Sequence, residues 1–136
     1  MATVIESEKV KVGATPEKVF KFLEDFNNMD KLLPQDKISD WESDFDRCSF
    51  KIQNAAVIPL VKESVEPHSK INIVSGDKAP FKFTLVAHIK EVEGGTEAYL
   101  IFEGDINPFL KMMVMKPLTN LFNFMAERLQ RIFELI

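Results

Sequence analysis

Apolar and polar residues alternate through most of this chain, then switch near residue 107 to a helical spacing that runs to Ile136. Residues 4 to 12 read as a strand with Val4, Glu6, Glu8, Val10 and Val12 on one face and Lys9 and Lys11 on the other. Gly13–Ala14 ends it, and Thr15–Pro16–Glu17 opens a helix. Threonine can cap free N–H groups, proline fits the first turn, and glutamate suits the positive end of the helix dipole. Val19, Phe20, Leu23 and Phe26 form its buried stripe, and a second short helix from Asn28 to Leu33 stops at Pro34.

Six strands are expected next, at 37–45, 48–53, 56–66, 69–75, 81–92 and 96–105. Short connections between them favour antiparallel neighbours, and Gly94–Gly95 supplies a tight hairpin turn. The last two strands alternate most cleanly. Phe81, Phe83, Leu85, Ala87 and Ile89 face one way, against Lys82, Thr84, His88 and Lys90; Ala98, Leu100, Phe102 and Gly104 alternate with Glu97, Tyr99, Glu103 and Asp105. Such a sheet has one dry and one wet face. Strand 56–66 leaves its inner face open, because Val57, Val61 and Val65 compete with Ile58 and Leu60.

Asn107 and Pro108 begin the closing helix. Val114, Leu118, Leu121, Met125, Leu129 and Ile132 make its inner stripe, and Asn120, Asn123, Glu127 and Arg131 its polar back, with Glu127 and Arg131 spaced for an ion pair. Pro117 removes a backbone hydrogen bond, so a kink or break is expected near Lys116. Ahead of it, Phe109, Leu110, Met112, Met113, Val114 and Met115 point nearly all round the axis. A segment greasy on every side serves either as a gate over a cavity or as a contact surface for a partner or a second copy.

Composition narrows the field. With 136 residues, one domain is expected, large enough to bury a core without metal or disulfide. At 46% hydrophobic and 28% charged residues, the chain is not a disordered one. A net charge of −4 with dispersed Lys and Arg argues against nucleic acid. Cys48 is the single cysteine, so no internal disulfide forms. The first residues lack a signal-peptide pattern and the greasiest run, Phe109 to Leu118, is too short and too charged to span a bilayer, so a cytoplasmic protein without stable membrane insertion is expected.

The order of strand, two helices, six strands and long C-terminal helix, with Val10–Lys11–Val12–Gly13–Ala14–Thr15–Pro16–Glu17–Lys18–Val19–Phe20 and the Asn107–Pro108 helix start, resembles the START-like, Bet v 1-like helix-grip superfamily, which includes polyketide cyclases and lipid-transport proteins. It is most similar to the small bacterial branches. Where plant members carry a Gly-rich loop, Ser43–Asp44–Phe45–Asp46–Arg47 stands here. The resemblance implies an α+β fold: a curved antiparallel sheet of about seven strands wrapped around the last helix. It also implies a lipid, isoprenoid, quinone or polyketide-like ligand between sheet and helix. A cyclase or dehydratase enzyme, or a co-chaperone-like interaction module, are the alternatives.

The residues expected to line such a cavity are Phe50, Phe81, Phe83, Leu85, Leu100, Phe102, Leu110, Met113, Val114, Leu118, Leu121 and Met125. Methionine adapts to varied apolar shapes, which singles out Met112, Met113, Met115 and Met125, although the same residues also fill irregular cores. Glu6 and Glu8 are the weak catalytic candidates: beside a cavity, desolvation would raise a carboxyl pKa and allow acid–base chemistry, whereas at a sheet edge both stay in water. His68 and His88 read as surface residues, Cys48 as a small buried hydrophobe, and Trp41 as a packing residue. No zinc motif, phosphate loop, dinucleotide fingerprint or nucleophile elbow occurs, so no metal or cofactor is expected.

Overall fold

The computed structural model describes residues 2–52 and 56–134. Strands β1 (Thr3–Glu6) and β2 (Val10–Val12) precede helix α1 (Pro16–Glu24) and a 3₁₀ helix (Phe26–Leu32). Strands β3 (Ile38–Ser43), β4 (Arg47–Ile52), β5 (Ala56–Glu66), β6 (Lys70–Ser75), β7 (Phe83–Val92) and β8 (Gly95–Gly104) follow, and helix α2 (Pro108–Glu134) closes the chain. Every pairing is antiparallel, in the order β1-β8-β7-β6-β5-β4-β3, with β2 also on β8. This is the α+β helix-grip fold: a curved sheet around a long terminal helix.

The opening strand is two strands because one extra residue interrupts it. Ile5 pairs with Phe102 and Val10 with Ala98, so five steps along one strand meet four along the other. The inward parity therefore changes: Thr3, Ile5 and Ser7 are buried ahead of the break, Val10 and Val12 after it. Val4, Glu6 and Glu8 point outward, which corrects the expected common face with Val10 and Val12. A second extra residue settles β5. Lys62 pairs with Ile73 and Val65 with Ile71, so three steps face two. Ile58 and Leu60 are buried before this bulge and Val65 packs against the core after it, a switch that strict alternation cannot express.

Local chemistry fixes the helices. Thr15 Oγ1 accepts from the Lys18 amide (3.3 Å), and Asp25 Oδ1 caps the 3₁₀ helix by accepting from Asn27 N (3.0 Å). The second short helix thus begins two residues earlier than expected. Asn107 Oδ1 accepts from Leu110 N (2.9 Å) and starts α2, whose 27 residues span about 40 Å. No break occurs at Lys116; α2 runs through Pro117 as one helix. The β7–β8 turn falls on Glu93–Gly94, since Val92 pairs with Gly95. Gly94 sits at φ 82°, and a Cβ on Gly95 would lie 2.3 Å from Val12 O.

The core lies between the concave sheet and α2. Phe102 is fully buried against Phe83 (5.3 Å between ring centroids) and Phe122 (5.4 Å). Burying one such side chain contributes about 1.5–3 kcal/mol. Val114, Leu118, Leu121, Met125 and Leu129 are buried as the helical spacing predicts, Ile132 packs at the margin, and Phe122 joins them from beside the stripe.

Candidate functional site

Seven of the twelve candidate residues meet around one internal void. Phe50, Phe83 and Leu85, with Phe102, come from the sheet; Leu118, Leu121 and Met125 come from α2. Ile58, Leu60 and Phe122 complete an entirely apolar lining. The void is only about 10 Å³. A neighbouring one of about 20 Å³ lies where Leu100 and Met125 meet Leu23, Leu32 and Leu129. Each is about the size of one water-sized sphere. The open hollow expected beneath α2 is therefore closed, because the mutually tilted rings of Phe83, Phe102 and Phe122 occupy it.

The remaining candidates are spread out. Val114 is buried and Leu110 packs at the margin of the core. Phe81 lies at the sheet rim, edge-on to Phe102 (6.2 Å), and borders a surface depression. Met113 is 53% exposed, Met112 85% and Phe109 73%, so this part of α2 turns its greasy side to solvent. Of the four highlighted methionines, Met125 alone lines the voids; Met115 is half-buried.

Room for a small molecule lies at the flank of α2. A groove of about 660 Å³ runs between the Pro34–Ile38 segment and the helix, floored by Ile38, Ile52, Pro117, Leu121 and Phe124. That volume is within the usual range of ligand pockets, roughly 300–1,000 Å³. Lys37, Asp36, Lys116, Asn120, Asn123 and Glu127 supply its polar rim. Leu121 belongs to both spaces, with the groove on one side and the apolar void on the other. Sequence reasoning missed Ile38, Ile52 and Phe124. The first two are register partners across β3 and β4, far apart in the chain, and Phe124 lies off the helix's inner stripe.

The carboxylates do not border the interior. Glu6 and Glu8 are both exposed, and the inward residue between them is Ser7. Glu8 instead meets α2: its amide donates to Asn123 Oδ1 (2.8 Å), and its carboxyl shares a hydrogen bond with that of Glu127. That bond, with slight desolvation and the charge of Glu127, raises the Glu8 pKa above its ordinary 4.5. The expected ion pair of Glu127 with Arg131 is not among those formed by the described residues.

His88 is half-buried on the convex face, stacked on Tyr99 (4.8 Å, 12°); burial first, then the charge of Lys70, lowers its pKa against the opposing pull of Glu6. His68, in a turn at φ 64°, sets its ring edge-on to Phe20. Cys48 is buried, and burial, reinforced by Asp30 and Asp44, pushes its thiol up to about 12. Trp41 stacks on Phe50 at 6.2 Å. Among the described residues no three His, Cys, Asp or Glu side chains converge as a metal site.

No protein-family model and no curated protein sequence matches the chain. Solved structures do. A START superfamily protein from Mycobacterium smegmatis superposes with TM-score 0.68 at 13% identity, covering 97% of each chain. Norcoclaurine synthase from Thalictrum flavum, in complex with dopamine and hydroxybenzaldehyde, gives 0.71 at 12%, covering 97% of this chain and 86% of the other. The di-domain ARO/CYC StfQ of the steffimycin biosynthetic pathway gives 0.74 at 11%, covering 98% of this chain but 51% of that one. Sequence likeness this low speaks to architecture alone, and on that ground the chain has the helix-grip fold of START-like and Bet v 1-like proteins.

Proposed function

We propose that this protein binds a hydrophobic small molecule, of lipid, isoprenoid, quinone or polyketide-like type, between the sheet and α2. The observation that carries the reading is the double position of Leu121, a single side chain between a ligand-sized groove and an apolar interior. Rotation of Leu121, with displacement of the α2 segment from Phe109 to Met115, joins the two spaces. Phe109 to Met115 then acts as the gate and Pro117 as its hinge. Apolar burial at roughly 25 cal/mol per Å² gives useful affinity with few polar contacts. The bound aromatic molecules in norcoclaurine synthase support a small-molecule site on this fold.

The test is uptake of a fluorescent fatty acid, with mass spectrometry of gently purified protein for co-purifying apolar compounds. Saturable uptake is expected, reduced by Leu121→Trp, which plugs the passage, in a variant that keeps its circular dichroism spectrum. A clean apo spectrum with no uptake overturns the proposal.

A cyclase-type reading loses its candidate bases, since Glu6 and Glu8 both lie in water. A docking module has one specific observation in its favour, the exposed side chains of Phe109, Met112 and Met113. Light scattering after size exclusion separates a self-associating form from a monomeric binder.

A further inference from the structure

The helix Phe26–Leu32 keeps a 3₁₀ winding for 7 residues. Such runs seldom pass about three or four residues, because their hydrogen bonds are poorly aligned. Its first end is pinned. Lys62 of β5 reaches it with a side chain only 9% exposed. The Lys62 Nζ lies 3.8 Å from the centre of the Phe45 ring and 5.2 Å from that of Phe26, and donates to Phe45 O (3.2 Å) and Asp46 Oδ1 (3.3 Å). The Phe26 amide donates to the same Phe45 carbonyl (3.1 Å), Ser43 Oγ donates to Asn27 Oδ1 (2.7 Å), and Phe26 is fully buried.

The other end is held lightly. Among the described residues a single hydrogen bond, from Arg128 Nε to Lys31 O (3.2 Å), ties it to α2. It also has space on both sides. Leu32 lines the inner void of about 20 Å³ with Met125 and Leu129 of α2. Asp30, Lys31 and Leu33 line a surface hollow of about 470 Å³ with Phe124, Arg128 and Ile132 of the same helix. The seam between Leu32–Leu33 and Arg128–Leu129 thus separates interior from surface, and the Arg128 bond crosses it. A side chain backed by a void lacks partner atoms on that side to hold it.

We propose that this 3₁₀ helix is a port: its Phe26 end is a pivot pinned by Lys62, and its Asp30–Leu33 end swings off Arg128 to join the hollow to the void. The port is separate from the passage at Leu121. Its cargo rests on the proposed binding of an apolar molecule; the swing is a property of the chain itself.

Hydrogen exchange of the full chain tests it. The Leu33 amide, which donates to Asp30 O (3.2 Å), reports the moving end, and the Phe26 amide reports the pivot. Arg128 is exposed, so Arg128→Met keeps the fold. In that variant Leu33 exchange should rise about fivefold, the worth of one hydrogen bond, with Phe26 and the amides of β7 and β8 unchanged. In Lys62→Met, which keeps the apolar stem between the rings, Phe26 exchange should rise about tenfold or more. If Lys62→Met does not fold, Arg128→Met decides alone. An unchanged Leu33 rate in Arg128→Met, or equal acceleration at Leu33, Phe26 and β8, overturns the port. So does saturable uptake of a fluorescent fatty acid that is no faster in Arg128→Met than in the parent. No uptake by either form would count against the binding reading and leave the exchange pattern to judge the port.

Discussion

Ser7 and Leu100 are joined by two hydrogen bonds: Ser7 N donates to Leu100 O (2.8 Å), and Leu100 N donates to Ser7 Oγ (2.9 Å). The second bond replaces a backbone acceptor with a side chain where the extra residue interrupts pairing between the opening strands and β8. The Ser7 hydroxyl also donates to Glu8 O (3.1 Å), so this buried side chain holds both sides of the break.

Ser7→Ala should therefore leave the Leu100 amide without its acceptor in a buried setting. The expected cost is about 1–3 kcal/mol, read from the urea midpoint with an unchanged slope. Ser7→Thr, which keeps the hydroxyl, should recover part of it. An alanine variant as stable as the parent would mean that the strand break is held by packing alone.

The same break marks where reading the sequence fails. Alternation locates six strands and the long helix because, outside β5, most apolar residues there answer to a single buried face. A one-residue bulge leaves composition untouched and reverses the parity beyond it. Glu6 and Glu8 are thereby assigned to the face of Val10 and Val12, and β5 offers two incompatible apolar rows. The interior lining is legible because Phe50, Phe83, Phe102 and Leu118 each sit on a regular stretch. The flank groove is not, since it depends on how the Pro34–Ile38 segment lies beside Phe124, and no periodicity encodes that approach. The closing of the hollow is also out of reach, because the packing of Phe83, Phe102 and Phe122 is a matter of side-chain volume across three elements.

The Glu8–Glu127 contact makes stability depend on pH in a definite direction. Its shared hydrogen bond raises the Glu8 pKa in the folded chain above the ordinary 4.5. The folded state then holds more protons than the unfolded one between the two values, so stability falls as pH rises through that interval. Glu127→Gln should raise the urea midpoint at neutral pH, where the parent carries two adjacent carboxylates, and give no gain below the ordinary carboxylate range. Added salt should shrink the difference, because both groups lie in water. A gain that persists in acid would show that the substitution acts through packing rather than charge.

Pro117 lies within an unbroken α2, where it has no amide to donate to the carbonyl of Met113 four residues earlier. Pro117→Ala restores that donor and should stabilise the protein, by up to about 3 kcal/mol if the helix now strains around the ring. If the segment from Phe109 to Met115 is the gate, the same change should slow uptake of a fluorescent fatty acid while leaving its affinity within a few-fold. A loss of stability would mean that the proline's fixed backbone suits this site and that the helix already accommodates it.

Cys48 gives a direct view of how often the core opens. Its thiol is buried on β4, between β3 and β5, and its pKa of about 12 keeps it protonated at any ordinary pH. Only thiolate reacts with disulfide reagents, so the folded chain should be inert and labelling should proceed through opened molecules. In native buffer the rate should fall below that of a free cysteine by the opening equilibrium, a factor of about 10³ or more for a stable small domain. Urea below the unfolding transition should accelerate it, and the slope against denaturant measures the surface exposed in the opening event. A slope near the equilibrium value places Cys48 in the globally cooperative core; a shallow slope means that β4 opens with the edge strand β3 alone. Labelling at the rate of a free thiol in native buffer would contradict the burial on which this prediction rests.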